Sequence, residues 1–229
     1  SDAKAVHFQP DLDIESPQSI AEEAAQFARE GAKVLVIRNT VSSARETFQA
    51  LPGDVNTFSA QGVKCPHHSR FASPDRTLLD SVIEDVYGKE SSRGKGIVTV
   101  ATQTVEQSLD IDADILVTDI CPMDVLLQRV GRLHRHRRDN RPASFAETRC
   151  IVATLQREYE SLILSDESSV FGPSGIGTVY PDLRMLYTTQ HLIEDKAQVV
   201  IPQDNRMLVE RALHSDRFPT GDRWNKHED

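Results

Sequence analysis

The fold of this chain is decided by the stretch VLVIRNTV, residues 34–41. Its first four residues form a continuous apolar run of strand length, which is typical of a β-strand buried on both faces. The polar residues that follow lead into a pattern that predicts a helix from Ser42 to Leu51. A strand buried on both sides that runs directly into a helix is the repeating unit of an α/β protein.

The same alternation recurs along the first 150 residues. The patterns predict strands at residues 5–8, 34–37, 55–58, 63–67, 96–101, 115–119 and 149–153, and helices at 17–29, 42–51, 77–87 and 125–133. This alternation predicts a parallel sheet with helices on both faces. Ligands bind such sheets at the carboxyl ends of the strands, so the loops after Ile37, Ala101 and Asp119 are the candidate sites.

The character of the chain changes near residue 155. We predict an α/β domain over residues 1–154 and a C-terminal extension over residues 155–229. The extension begins with a linker that is rich in glycine at residues 172–177, and helical patterns follow at 182–195 and 205–215. A short extended stretch, residues 199–202, separates these two helices.

The composition excludes several classes of protein. Of the 229 residues 38% are hydrophobic and 27% are charged, as in ordinary globular proteins. No apolar run approaches the roughly 20 residues that a membrane helix needs, so no membrane partner is expected. The three cysteines are far apart and lack CxxC spacing, which favours a reducing cytoplasm over a disulfide framework. Cys65, His67 and His68 lack further ligands at useful spacing, so no metal site is predicted.

The net charge of −9 is unexpected for a protein that contacts phosphates, but the distribution of charge matters more than its total. Residues 129–141 contain six arginines and one aspartate. Such a cluster forms either a solvated basic turn or an anion-binding surface. His134 and His136 lie within it and are expected to extend its basic rim.

The stretch QRVGRLHR, residues 128–135, favours an anion-binding surface. Arg132 and Arg135 are three residues apart, so on a helix or a tight turn both guanidiniums project from one side. Gly131 is expected to let the backbone approach a neighbouring surface closely. Two planar, permanently charged groups that point the same way suit the charge that develops on a transferred phosphate. The alternative is a surface helix that is merely rich in arginine.

This stretch resembles motif VI of superfamily 2 helicases, which supplies arginine fingers; such fingers accelerate phosphoryl transfer by about 10³- to 10⁵-fold. Upstream, ATQTVEQSLDID (residues 101–112) resembles motif V, where Thr102 and Gln103 offer donors to phosphates. Asn39 and Thr40, at the end of a predicted strand, resemble motif IV. Taken alone, residues 102–106 also fit a capped helix, and any buried strand before a helix resembles motif IV.

Further segments narrow the resemblance to one family. They are RNTV (38–41), HSRF (68–71), DICPMD (119–124) and VYPD (179–182). Together with the motifs they make residues 33–215 similar to the CRISPR-associated helicase-nuclease of type I interference systems, at its second RecA-like lobe. Members of that family act in antiviral defence as ATP-dependent DNA helicases that use Mg²⁺ and move 3′ to 5′ on single-stranded DNA. They carry an HD nuclease and are recruited by a guide-RNA surveillance complex.

The resemblance also implies roles for individual residues. It implies that Arg132 and Arg135 complete the ATP site of the first RecA-like lobe, with Asp110 near the ribose or bonded to these arginines. The remaining residues that it assigns to the nucleotide are Gln128, Gly131 and Glu106. Those that it assigns to the DNA strand or the nucleotide are Asn39, Thr40, His68, Ser69, Arg70, Thr102 and Gln103.

The chain also departs from the family pattern. It has no GxxxxGK[ST] phosphate loop, no DExH-type acidic box and no histidine–aspartate nuclease motif, so this chain alone is expected to be inactive. Two other interpretations stay open at this point. One is a lobe of an RNA-directed superfamily 2 helicase, and the other is a stand-alone binding or regulatory module without catalysis.

Overall fold

The computed structural model describes residues 3–69, 73–92, 95–106, 109–163 and 172–228. Within these ranges the chain forms strands and helices in alternation. The strands are β1 (Lys4–Asp13), β2 (Lys33–Ile37), β3 (Ser59–Ala60), β4 (Val63–Lys64), β5 (Ile97–Ala101), β6 (Ile115–Asp119), β7 (Thr148–Thr154) and β8 (Gln198–Ile201). The helices are α1 (Pro17–Arg29), α2 (Val41–Ala50), α3 (Ser73–Tyr87), α4 (Met123–Val130), α5 (Leu183–Asp195), α6 (Asn205–Leu213) and α7 (Asp222–Glu228).

Six strands form one sheet in the order β5-β2-β6-β7-β1-β8. The five strands from β5 to β1 pair in parallel, and β8 pairs antiparallel with β1 at the edge. The short strands β3 and β4 form a separate hairpin. A mostly parallel sheet with helices on both faces confirms the predicted α/β, RecA-like fold class.

The apolar run at residues 34–37 forms most of β2, which lies between the edge strand β5 and β6. Every residue of β2 and of β6 is buried, because helices cover both strands. Helix α1 packs on β1, β2, β5 and β6 with α2 beside it, whereas α5 packs on β1 with α4 and α6 beside it. Helix α1 begins and ends as predicted: the Ser16 hydroxyl accepts the Ser19 N–H at 3.3 Å, and Gly31 ends the helix with a φ of 94°.

Three predicted strands differ from the structure. The strand predicted at residues 63–67 is shorter, because β4 covers only Val63–Lys64 and His67 makes an isolated bridge to Ala101. Strand β1 has ten residues rather than four. It continues through Pro10 because the pairing with β7 shifts register there, so the missing N–H of Pro10 removes no regular hydrogen bond between the two strands. The predicted strand at residues 55–58 is wrong, since that segment makes only an isolated bridge from Thr57 to Val98. The Phe58 N–H donates to the Val98 carbonyl at 2.9 Å, so the segment covers the outer edge of β5.

The C-terminal part of the chain shares the main sheet. Strand β8 pairs with β1, α5 packs on β1, and α6 packs on α4 and α5. Trp224 of α7 is buried, and its indole N–H donates to Glu160 Oε1 at 2.6 Å. The division of the chain at residue 154 stays a prediction. None of the helices in the described ranges has both the length and the apolar character needed to cross a lipid bilayer.

Candidate nucleotide and nucleic-acid site

The loops after β2, β5 and β6 meet at the carboxyl edge of the sheet, because these three strands are neighbours. The Asn39 N–H donates to Asp119 Oδ2 at 2.8 Å, and the Asn39 side-chain amide donates to the Ile120 carbonyl at 2.9 Å. Gln103 Nε2 donates to the Asn39 carbonyl at 2.7 Å. The residues predicted after Ile37 and Ala101 are therefore joined to each other and to the end of β6.

Arg38 anchors this edge from inside the protein. Its side chain is 1% exposed, and its Nε lies 2.7 Å from Asp119 Oδ1. The guanidinium also donates to the Thr47 hydroxyl at 2.5 Å and to the Ser174 hydroxyl at 2.6 Å. The contact with Ser174 ties the C-terminal part of the chain to the carboxyl edge. Sequence reasoning did not identify Arg38 as a buried residue, because an arginine after a strand usually faces solvent.

The residues predicted to contact DNA differ in exposure. Asn39 and Thr102 are each 2% exposed and His68 is 9% exposed. Thr40 is half-buried and caps α2 by accepting the Ser43 N–H at 3.0 Å, whereas Ser69 is exposed. Asn39 Oδ1 is buried and accepts no hydrogen bond from the described residues. Arg70 lies outside the described residues.

His67 joins α3 to the segment that follows β5. Its ring is fully buried, with Nδ1 2.8 Å from the Thr104 hydroxyl and Nε2 2.8 Å from Asp80 Oδ1. Burial lowers the pKa of His67 below its ordinary value, although the Asp80 carboxylate acts in the opposite direction. Over the part of the chain that the structure describes, no group of three or more His, Cys, Asp or Glu side chains is arranged to hold a metal ion.

The β5–β6 connection, residues 102–114, begins with a 3₁₀ turn at Gln103–Glu106 that packs against α4. Glu106 Oε1 accepts from Nε of Arg129 at 2.7 Å, and the Arg129 side chain is fully buried. Arg129 also donates to the Thr118 hydroxyl at 2.8 Å and to the Tyr180 hydroxyl at 3.2 Å. Glu106, predicted to bind nucleotide, is therefore the carboxylate partner of a buried arginine.

Arg132 and Arg135 both lie against the β5–β6 connection. Arg132 donates from Nε to the Val105 carbonyl at 3.1 Å and from Nη2 to the Glu106 carbonyl at 2.6 Å. Arg135 donates from Nη1 to the Leu109 carbonyl at 3.2 Å. The Arg135 side chain remains 38% exposed. The two guanidiniums are thus on one side of the turn that follows α4.

Asp110 lies beside these arginines. Its Oδ1 is 3.2 Å from Arg135 Nε and 2.8 Å from His136 Nε2. Burial alone would raise the pKa of Asp110, but the hydrogen bonds from His136 and from the Lys89 N–H, together with the Arg135 charge, lower it below its ordinary value. Asp110 is therefore an anionic neighbour of Arg135, and its role beside a nucleotide stays a prediction.

The turn after α4 is built differently from the expectation. Gly131 has right-handed backbone angles (φ −59°, ψ −14°), and the nearest atom to an added Cβ is the Gln128 carbonyl of its own helix, at 3.0 Å. Within the described residues Gly131 therefore permits no close approach to another segment. The residue with positive φ is His134, at 46°, and its N–H donates to the Ala113 carbonyl at 3.1 Å. Gln128 is exposed on α4.

The basic surface is smaller than the sequence predicted. Arg129 is buried with Glu106, and Arg138 and Arg141 are paired with Asp112 and Asp114, which are almost fully buried. The expectation that His134 extends the basic rim is wrong, since burial and the nearby Arg141 charge lower its pKa to about 4. A sequence signal for this pairing exists. Aspartates occur at every second position from 110 to 114, opposite arginines at every third position from 135 to 141.

Comparison with known proteins identifies relatives of this chain. Residues 30–138 match the family described as CRISPR-associated nuclease/helicase Cas3, C-terminal. The chain is 37% identical over 177 residues to the CRISPR-associated endonuclease/helicase Cas3 of Escherichia coli (strain K12), a match that covers 77% of this chain and 18% of that protein. It is 36% identical over 158 residues to the protein of the same name from Thermus thermophilus, covering 67% of this chain and 16% of the relative.

Solved structures agree with these relatives. The crystal structure of T. fusca Cas3-AMPPNP superimposes with a TM-score of 0.77 at 25% sequence identity, over 100% of this chain and 27% of that one. A structure titled as a CRISPR-associated protein superimposes with a TM-score of 0.76, also at 25% identity, over 99% of this chain and 24% of that one. The chain thus spans less than a fifth of the curated relatives just named and about a quarter of the solved chains.

Proposed function

Because this chain belongs to the Cas3 family, matching its C-terminal helicase region, we propose that it is the second RecA-like lobe of an ATP-dependent helicase. The whole protein moves 3′ to 5′ along single-stranded DNA in antiviral defence. A first RecA-like lobe and an HD nuclease belong to the same protein, and a guide-RNA surveillance complex in a prokaryotic cytoplasm recruits it.

The observation that carries this proposal is the placement of Arg132 and Arg135 side by side along the β5–β6 connection. A guanidinium has five N–H donors, and Arg132 uses two of them on the carbonyls of residues 105 and 106. Donors therefore remain for the terminal phosphate of a nucleotide that is bound by the first lobe. In this proposal both residues act as arginine fingers when the lobes close around ATP.

ATP and Mg²⁺ are held mainly by the first lobe. Gln128 and Gly131 face the nucleotide beside the fingers, and Asp110 holds Arg135 until the lobes close. Glu106 contributes through Arg129 rather than by direct contact, because its carboxylate is already paired. This chain alone does not hydrolyse ATP, since its sequence lacks both the phosphate loop and the acidic box.

The DNA strand follows the carboxyl edge of the sheet. Thr40, Gln103 and Ser69 are the more exposed of the candidate residues and would contact the backbone phosphates. Asn39 positions Gln103, because the Asn39 carbonyl accepts a hydrogen bond from the Gln103 side-chain amide. Thr102, His68 and Arg70 complete the set that the family resemblance assigns to this strand.

Substitution Arg135→Ala in the intact protein tests the arginine-finger assignment. We expect DNA-stimulated ATP turnover to fall by about 10³-fold or more with little change in the unfolding midpoint, because the side chain is exposed and its loss creates no cavity. The exposed Arg217→Ala provides a control that keeps normal turnover. Normal turnover in Arg135→Ala would remove the finger assignment.

Two other functions are separated from this one by direct measurements. Stimulation of the ATPase by RNA but not by single-stranded DNA would identify an RNA-directed motor. Tight binding of a protein partner by this chain, from a gene that encodes no upstream lobe, would identify a stand-alone module. The retention of Gln128, Arg132 and Arg135 favours the motor, since a decayed lobe would not need them.

A further inference from the structure

Asp112 lies directly beneath the backbone of the proposed arginine finger. Its side chain is fully buried, and its Oδ1 accepts the N–H of Arg135 at 2.9 Å and the N–H of His136 at 3.4 Å. The positive φ of His134 turns these two successive N–H groups towards the same oxygen. Successive N–H groups arranged in this way form a concave site that favours an anion, and here the anion is a side chain of the protein itself.

The same carboxylate also holds the far end of the loop. The arginine loop, residues 131–141, returns to Asp112 through Arg138, whose Nε is bonded to Oδ2, and through Arg141, whose Nη2 is 2.6 Å from Oδ1. A buried carboxylate is unfavourable unless it is paired and hydrogen-bonded, and this loop supplies both kinds of partner. The part of the loop from residue 134 onwards is irregular, so side-chain contacts such as those of Asp112 hold its shape in place of a helix or strand.

We propose that Asp112 is a positioning residue for ATP hydrolysis, which fixes the backbone of Arg135 so that the guanidinium reaches the phosphate in one place. This inference rests on the proposed function of Arg135. An arginine side chain is long and flexible, so the accuracy with which it meets a transition state depends on where its backbone is held. Misplacement of a catalytic group by about 1 Å can cost about 10²-fold in rate.

Asp114 provides a matched control for Asp112. It is 1% exposed and pairs with the same Arg141, at 2.5 Å. It also accepts the Lys33 N–H at 2.9 Å, so its contacts tie the arginine loop to strand β2. Substitution of either aspartate removes one of the two carboxylates that pair with the buried Arg141, and both substitutions should lower the unfolding midpoint. Asp112 differs from Asp114 in its contacts with Arg138 and with the Arg135 N–H.

The test uses the intact protein with Asp112→Ala, Asp112→Asn, Asp114→Ala, Arg135→Ala and the double variant Asp112→Ala/Arg135→Ala. The measurements are kcat and KM for ATP with saturating single-stranded DNA, the unfolding midpoint, and hydrogen exchange of the amides at 135 and 136. We expect Asp112→Ala to lower kcat by about 10²-fold, with KM changed less than threefold, and to speed exchange at both amides. Asp112→Asn should recover most of kcat, because its side-chain oxygen still accepts these N–H groups.

Asp114→Ala should keep kcat within about threefold of the wild type, and the double variant should be no slower than Arg135→Ala, since the two residues act as one unit. Equal losses of kcat in Asp112→Ala and Asp114→Ala would overturn the inference, as would a further large loss in the double variant. If Asp112→Ala does not fold, Asp112→Asn provides the test. A folded Asp112→Asn protein with normal kcat but with unprotected amides at 135 and 136 would also overturn the inference. Normal turnover in Arg135→Ala would instead reject the finger assignment itself.

Discussion

The buried pair of Glu106 and Arg129 allows a quantitative test of the core of the candidate site. Arg129 is fully buried and Glu106 is 10% exposed, so water contributes little to solvating either charge. Within the described residues, substitution Glu106→Ala leaves the guanidinium hydrogen-bonded to neutral groups, the Thr118 and Tyr180 hydroxyls and the Asp119 carbonyl. Removing one partner of a buried ion pair costs about 3 to 5 kcal/mol. For a chain of this size that loss lowers the unfolding midpoint by roughly 10 °C.

The assay is urea and thermal unfolding of the chain, followed by circular dichroism. Tyr180→Phe removes one neutral hydrogen-bond partner of Arg129 and should cost about 1 kcal/mol, close to the net value of an ordinary hydrogen bond. Glu106→Ala/Arg129→Met should recover part of the loss, because the orphaned charge is replaced by an apolar side chain of similar length. A loss below about 1 kcal/mol in Glu106→Ala would refute the reasoning, since it would mean that water reaches Arg129.

Three further predictions concern pH, packing and DNA. The pKa of His134 in the folded protein is lowered to about 4 from its ordinary value of 6.5. The contribution of the neutral ring to the free energy of unfolding is therefore fully present above pH 6.5, and up to about 3 kcal/mol of it is lost as the pH drops towards 4. In urea titrations over this pH range, His134→Asn should lose less stability than the wild type. Gly96→Ala would place Cβ 1.8 Å from the Ala28 carbonyl and should cost about 3 kcal/mol or more in urea titrations, whereas Gly53→Ala has open space and should be neutral. In fluorescence anisotropy this chain should bind single-stranded DNA weakly and lose affinity as salt rises; tight binding at high salt would contradict this.

The fold could be predicted from the sequence because its decisive signals are local. The run at residues 34–37 and the apolar run that begins at Ile115 are continuous, and strands of this kind are found in parallel sheets. The extent of β1 could not be predicted, because Pro10 normally ends a strand and is tolerated here only through the register shift against β7. Pairing of that kind depends on a strand more than 130 residues away, which no local pattern records.

The residues of the candidate site could be predicted only in part. The motif residues Arg132 and Arg135 follow from their spacing, and the structure puts them together beside Asp110. The burial of Arg38 and Arg129 was not predictable, because it depends on carboxylates that are distant in sequence, Asp119 and Glu106. An arginine is assumed to be exposed until its partner is known. Counting the charge of residues 129–141 without their partners therefore overestimated the basic surface.

The pairing of the β5–β6 connection with the segment at residues 129–141 follows one register. Arg129 and Arg132 contact residues 105 and 106, Arg135 contacts 109 and 110, Arg138 contacts 112, and Arg141 contacts 112 and 114. The two segments thus run side by side in the same direction. The candidate DNA contacts Thr102 and Gln103 lie at the start of the β5–β6 connection, and the proposed fingers lie in the middle of residues 129–141. A displacement of the connection by DNA would therefore move the backbone and carboxylate groups that hold the fingers. In the proposed motor, contact with DNA at Thr102 and Gln103 would reach the fingers along this register.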